Sequence, residues 1–180
     1  MNDGRSASGR SALELRREFD QSFALAAQPS REVPEGFLAI GLCADPHALR
    51  LADIVGVQPL GAITRLPSPL AALCGLVGFR GAILPVYDLR LLLGYAPQLA
   101  PRWIVVAAAS PVALAFDSLD GHLRPGRDAR SRASGVQGSR RHAHEILQGD
   151  DGARPIVAVA SVLDEIRAAA SRADTQPPKE

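Results

Sequence analysis

The 180-residue sequence predicts an all-β protein organised as two similar small barrels, with short helices attached. Three observations predict it. The apolar runs are short and bounded by Gly, Pro or Asp, as strands are and long helices are not. One stretch, Leu73 to Gly94, reads as strand, turn, strand, cap and short helix. The pattern also repeats: Phe37-Leu-Ala-Ile corresponds to Trp103-Ile-Val-Val, and Ala48-Leu-Arg-Leu to Ala113-Leu-Ala-Phe116, at offsets of 66 and 65. A third pair, Ile83 to Leu89 against Ile156 to Val162, continues the duplication as apolar strand, cap and helix.

Residues 1–34 form an N-terminal extension. Residues 1–10 are small and polar, predict disorder and contain no signal-peptide core. Ala12, Leu15, Phe19, Phe23 and Ala26 follow at helical spacing, so a helix is expected over 11–26, capped by Ser11-Ala-Leu-Glu14. Its Leu15, Phe19 and Phe23 stripe is a candidate docking surface, against this chain's own barrel or a partner. Pro29 and Pro34 close the segment. The main domain is expected over 35–170. Phe37 to Cys43 and Ala48 to Val57 read as strands around a turn at Ala44-Asp-Pro-His47, and Ile63 to Pro69 as a proline-broken connection.

In the Leu73–Gly94 unit, Gly75 to Phe79 is a strand and Arg80-Gly81 a turn in which Gly accepts φ > 0. Ala82 to Tyr87 returns as a strand, with Pro85 requiring an edge or a bulge because it lacks an amide proton. Asp88 is the expected N-cap, Leu89 to Leu93 the helix and Gly94 its C′ residue. Trp103 to Ala109 and Val112 to Asp117 read as a second hairpin across Ser110-Pro111. A long Arg-rich loop over 124–142, poor in large apolar residues, is expected to be flexible. The last helix is expected from Ser161, in a Ser-Val-Leu-Asp cap, to about Arg172, with 171–180 a disordered tail.

Composition and motifs argue against several functions. A formal charge of +1 marks neither a nucleic-acid binder nor an acidic solvating protein. Cys43 and Cys74 lie in apolar runs without a C-x-x-C pair, which fits buried free thiols in a reducing cytoplasm. Trp103 to Ala109, the longest apolar segment, is far below the ~20 residues of a membrane helix, so no membrane insertion is expected. No phosphate loop, dinucleotide fingerprint, zinc-protease motif or nucleophile elbow is present. His142 and His144 lack further ligands at metal spacing, and Asp117 and Asp120 read as turn formers. No catalytic residue, metal or cofactor is therefore expected. Six arginines between 124 and 141 could hold phosphates without sequence preference, but they lack interleaved aromatics, so a nucleic-acid-binding β-barrel is the weaker reading. Arg80 differs: a guanidinium at the bend between apolar strands can bracket a carboxylate or carbonyls of a partner.

Leu66-Pro-Ser-Pro followed by Gly75-Leu-Val-Gly-Phe-Arg-Gly-Ala-Ile-Leu-Pro-Val-Tyr-Asp-Leu-Arg90 resembles the signature of CheW, the chemotaxis coupling protein, and of the CheW-like regulatory domain of the CheA histidine kinase. The likeness covers about Phe37 to Ile166. It implies two intertwined five-stranded SH3-like barrels and a non-catalytic cytoplasmic adaptor of a two-component system. The partners it implies are a chemoreceptor's cytoplasmic tip and the regulatory domain of a CheA-type kinase. A regulator of pilus motility or surface sensing is the related alternative. The interaction residues implied are Leu76, Val77, Phe79, Arg80, Gly81, Pro85, Val86 and Asp88, with a hydrophobic groove between the barrels.

Overall fold

The computed structural model describes residues 35–96, 100–125, 130–132, 141–149 and 152–175. The helix expected over 11–26, with Leu15, Phe19 and Phe23, lies outside these residues, as does most of the Arg-rich loop.

Eleven strands and two helices are formed among the described residues. Repeat 1 comprises β1 (Phe37–Leu42), β2 (Asp45–Arg50), β3 (Ile54–Pro59), β4 (Leu73–Phe79), β5 (Ala82–Asp88) and α1 (Leu89–Leu92). Repeat 2 comprises β6 (Trp103–Ala107), β7 (Ala113–Phe116), β8 (Ser118–Leu123), β9 (Arg130–Arg132), β10 (Ala143–Gly149), β11 (Gly152–Val157) and α2 (Val159–Thr175). The strands form two sheets, ordered β8-β1-β2-β11-β10-β9 and β3-β6-β7-β5-β4. Without the edge strand β9, each holds five strands in the same order, so the duplication in the sequence is a duplication of fold.

Each sheet is shared between the repeats. The hairpin β1–β2 of repeat 1 is completed by β8, β11 and β10 of repeat 2, and the hairpin β6–β7 of repeat 2 by β3, β5 and β4 of repeat 1. The parallel pairings fix the correspondence: Ile156 lies opposite Ala48, and Val86 opposite Ala113. Because Ala48 and Ala113 are equivalent, Val86 is the counterpart of Ile156. The expected alignment through Ile83 was three residues out of register.

Burial explains why the strands read as apolar runs. Along β6 and β7, Val105, Ala107, Leu114 and Phe116 join a core shared with Leu38, Ile40 and Leu42 of β1, while Ile104, Val106, Ala113 and Ala115 pack with Val77, Leu84 and Val86 in a second core. Phe37, Ala48, Leu147 and Ile156 make a third. Successive residues point to opposite faces, and here both faces are covered.

Several expected boundaries move. The strand expected over Ala48 to Val57 is two strands in different sheets, separated by a 3-10 turn at Leu51–Asp53. The first turn is Cys43-Ala44, at φ 52° and 67°, while Asp45-Pro-His47 already pairs in β2. The loop over 124–142 is interrupted by β9, which pairs with β10. Helix α2 starts at Val159, not Ser161, and continues to Thr175 through part of the expected tail. No helix among the described residues is long and apolar enough to cross a membrane.

Candidate functional site

The β4–β5 hairpin is formed as the sequence predicts. Phe79 pairs with Ala82, leaving Arg80 and Gly81 as a two-residue loop at φ 48° and 83°. Positive φ at both central positions matches the right-handed twist of the flanking strands. For arginine that conformation costs about 1 kcal/mol relative to glycine, so the side chain is held at the tip at some expense. Its guanidinium carbon lies 5.1 Å from the centroid of the Phe79 ring, a cation–π contact at the surface. The ring rests against Gly56 of β3, where a Cβ would come within 2.7 Å of it.

Below the tip the two faces of the hairpin differ. Val77 and Leu84 pair inward and are buried. Gly78 and Ile83 pair outward: Ile83 is 74% exposed, and a Cβ at Gly78 would meet nothing within 4 Å. Leu76 and Pro85, two positions along, are half-buried on the same face. Pro85 is not in an edge strand, but β5 pairs with β7 only from Val86 onward, so no ladder bond is asked of its nitrogen on that side. The bulge is in β4, between Leu73 and Gly75.

The hairpin stands on a buried polar anchor. Asp88 caps α1 by accepting the Arg90 backbone N–H at 2.9 Å, and its carboxylate takes two bonds from the Arg90 guanidinium, at 2.9 and 2.6 Å. The third arm of Arg90 donates to Asp117 at 2.7 Å, and Asp117 also accepts the Cys43 N–H at 2.7 Å. Arg90 is 3% exposed and Asp88 5%. The Asp88 bonds hold the Arg90 guanidinium above its ordinary value, against the opposing effect of burial. An apolar cleft of about 310 Å³ opens beside this anchor, between Leu91 and Leu92 of α1 and Ile166 and Ala169 of α2, with Leu70 and Tyr87 on its walls.

Of the residues singled out in the sequence, Phe79, Arg80 and Gly81 form the tip, and Leu76 and Pro85 its outer face. Val77 and Val86 belong to the second core, and Asp88 to the anchor. Ile83 was not singled out, although its alternation with Leu84 marks it as outward-facing. Two other clusters had no signal in the sequence. Tyr95 donates to Asp45 at 2.8 Å and lies 3.3 Å from His47 Nε2. His142 is held by Ser161 at 2.7 Å through Nδ1 and by Glu165 through Nε2. Asp117 and Asp120 are separately engaged, the latter with Ser118 and Arg154. Among the described residues no group of three or more His, Cys, Asp or Glu is placed to hold a metal ion.

The family model of the CheW-like domain matches residues 37–167, which include every strand of both sheets and the first turns of α2. The chain belongs to the CheW-like domain family. Among solved structures, this CheW-like protein is similar to the scaffolding protein TtCheW from Thermoanaerobacter tengcongensis, with a TM-score of 0.61 and 20% identity over 69% of this chain and 89% of that one. At that identity the likeness is one of fold. No curated protein matches the sequence. The match agrees with the extent of the resemblance expected from the sequence, about Phe37 to Ile166.

Proposed function

We propose that this CheW-like protein is a non-catalytic adaptor that couples chemoreceptor tips to a CheA-type histidine kinase, in chemotaxis or a related pathway. The observation that carries the reading is the hairpin tip. It presents a cation, Arg80, stacked on Phe79 at the tip, and an exposed apolar side chain, Ile83, on the opposite face of the hairpin. Phe79 rests on Gly56, and the Asp88–Arg90 anchor lies at the base. An exposed guanidinium at a hairpin tip suits a protein partner that offers a carboxylate or carbonyls, and the exposed Ile83 face suits an apolar contact. We read each sheet as the wall of an SH3-like barrel. In support, Gln58 of β3 reaches Gly78 of β4 at 3.4 Å, so the two edges of one sheet meet. The cleft between α1 and α2 is the second candidate contact, for an apolar helix face.

The test is reconstitution with a receptor fragment and a CheA-type kinase at micromolar protein. The parent chain is expected to form the complex and raise kinase autophosphorylation. Arg80→Ala is expected to keep its fold, with a stability change within about 1 kcal/mol, while coupling falls sharply. A variant that couples normally removes Arg80 from the site. A chain that ignores the kinase but retains single-stranded DNA at roughly 150 mM salt would establish the nucleic-acid reading instead.

A further inference from the structure

We propose that this chain forms a swapped dimer with a second copy of itself, repeat 1 of one copy completing both sheets with repeat 2 of the other. The argument starts from which strands pair. Four pairings join the repeats: β1 with β8, β2 with β11, β3 with β6 and β5 with β7. Without them repeat 1 retains only the hairpins β1–β2 and β4–β5, and β3 has no partner strand. A lone hairpin is at best marginally stable in water, so repeat 1 has no independent sheet. Repeat 2 keeps only the hairpin β6–β7 and the strip β11-β10-β9, with β8 unpaired.

The side chains agree with the backbone. Arg90 of repeat 1 donates to Asp117 of repeat 2, Asp117 accepts from Cys43 of repeat 1, and Arg50 of repeat 1 bonds Glu145 of repeat 2 at 2.6 Å. The shared core likewise draws Leu38 and Ile40 from one repeat, and Leu114, Phe116 and Val157 from the other. Each repeat thus presents a surface complementary to the other, whichever copy supplies it. Covalently the repeats are joined only by the chain between Tyr95 and Trp103. Exchange preserves every inter-repeat pair and alters only the path of that connection.

Concentration then selects the form. A tethered repeat sees its partner at an effective concentration on the order of millimolar, so micromolar chains close on themselves and concentrated refolding admits exchange. Return requires the four strand pairings of each lobe to be broken, so a swapped dimer, once formed, persists on dilution.

The experiment uses the full chain, both as the parent sequence and with a protease site inserted between Ala96 and Ala100. Each is unfolded, refolded at about 1 µM and about 1 mM, and its mass read by light scattering on a sizing column. The 19.0-kDa monomer is expected at the low concentration and a persistent dimer at the high one. Cleaving the dimer of the inserted chain should yield two particles of monomer mass, each holding both halves without a covalent link. The proposal is overturned if the parent gives no dimer on concentrated refolding. It is equally overturned if the dimer keeps its mass after cleavage, as surface association would, or if the cleaved halves separate.

Discussion

Arg90 carries three structural duties on one side chain: it neutralises Asp88 beneath the hairpin, reaches Asp117 where β7 hands over to β8, and through Asp117 steadies the Cys43-Ala44 turn. Breaking a buried pair costs far more than the pair contributes, because one charge stays buried and uncompensated. Arg90→Met, which keeps an unbranched apolar stem without the charge, is expected to destabilise the protein by about 3–5 kcal/mol in urea unfolding. A loss below about 1 kcal/mol would mean that water reaches Asp88. The titratable groups around it give a second prediction at this scale. Burial first, then nearby carboxylates, pushes the Cys43 and Cys74 thiols above their ordinary 9.0, and burial pushes the Tyr87 phenol above its ordinary 10.0. The folded chain therefore keeps these protons to higher pH than the unfolded chain does. Their contribution to stability is complete below the ordinary thiol value and is lost as pH rises through the folded values. Urea midpoints should be level on the neutral side and fall above about pH 9, with a shallower fall in a Cys43→Ala, Cys74→Ala double variant. A midpoint that rises over that range contradicts the burial.

The β4–β5–α1 unit was legible in the sequence because each of its signals is local: Gly at the turn, Asp at the cap, Gly94 at the helix end, where φ is 85°. Where the deciding contact is tertiary, spacing misleads. Ser161-Val-Leu-Asp has the form of a cap, yet Ser161 lies inside α2 and its hydroxyl engages His142, 19 residues away. The same holds for the 3-10 turn at Leu51–Asp53, which moves the chain between sheets without interrupting the apolar run. Strand β10 was hidden because Ile146 and Leu147 are its only large apolar residues and sit among polar ones, although its partner β11 follows after two residues. Gly75 yields the prediction at this scale. Its φ is 139°, and a Cβ there would lie 2.3 Å from the Thr64 carbonyl oxygen, whose strand segment pairs with Leu76 across the edge of β4. Gly75→Ala must therefore both strain the backbone and expel Thr64, at a cost above about 2 kcal/mol. Gly78→Ala, where a Cβ meets nothing, should cost much less. Equal urea midpoints for the two variants would refute the close approach.

At the scale of the whole molecule, the duplication was visible in apolar residues at a fixed offset, whereas the exchange of hairpins between repeats was not. Pairing partners 27 to 108 residues apart leave no mark on local periodicity, and the parallel contacts β2–β11 and β5–β7 appear only when the sheets are assembled. The exchange has a thermodynamic consequence. Two sheets with cores of their own could unfold separately if each belonged to one segment of chain. Here every sheet loses strands when either repeat unfolds, so the free energies of the two are tied together, and one cooperative transition is expected. The single tryptophan, Trp103, lies in the β3–β7 sheet and reports on it, while far-UV circular dichroism reports on both. Leu147 is fully buried in the opposite sheet, in the cluster with Phe37, Ala48 and Ile156. Leu147→Ala removes about 2–5 kcal/mol from that cluster and touches nothing around Trp103. The tryptophan midpoint should nevertheless fall by the same amount as the dichroism midpoint, in one transition. If the fluorescence midpoint stays at its parent value while the dichroism splits in two, the sheets unfold independently, and sharing strands does not couple them.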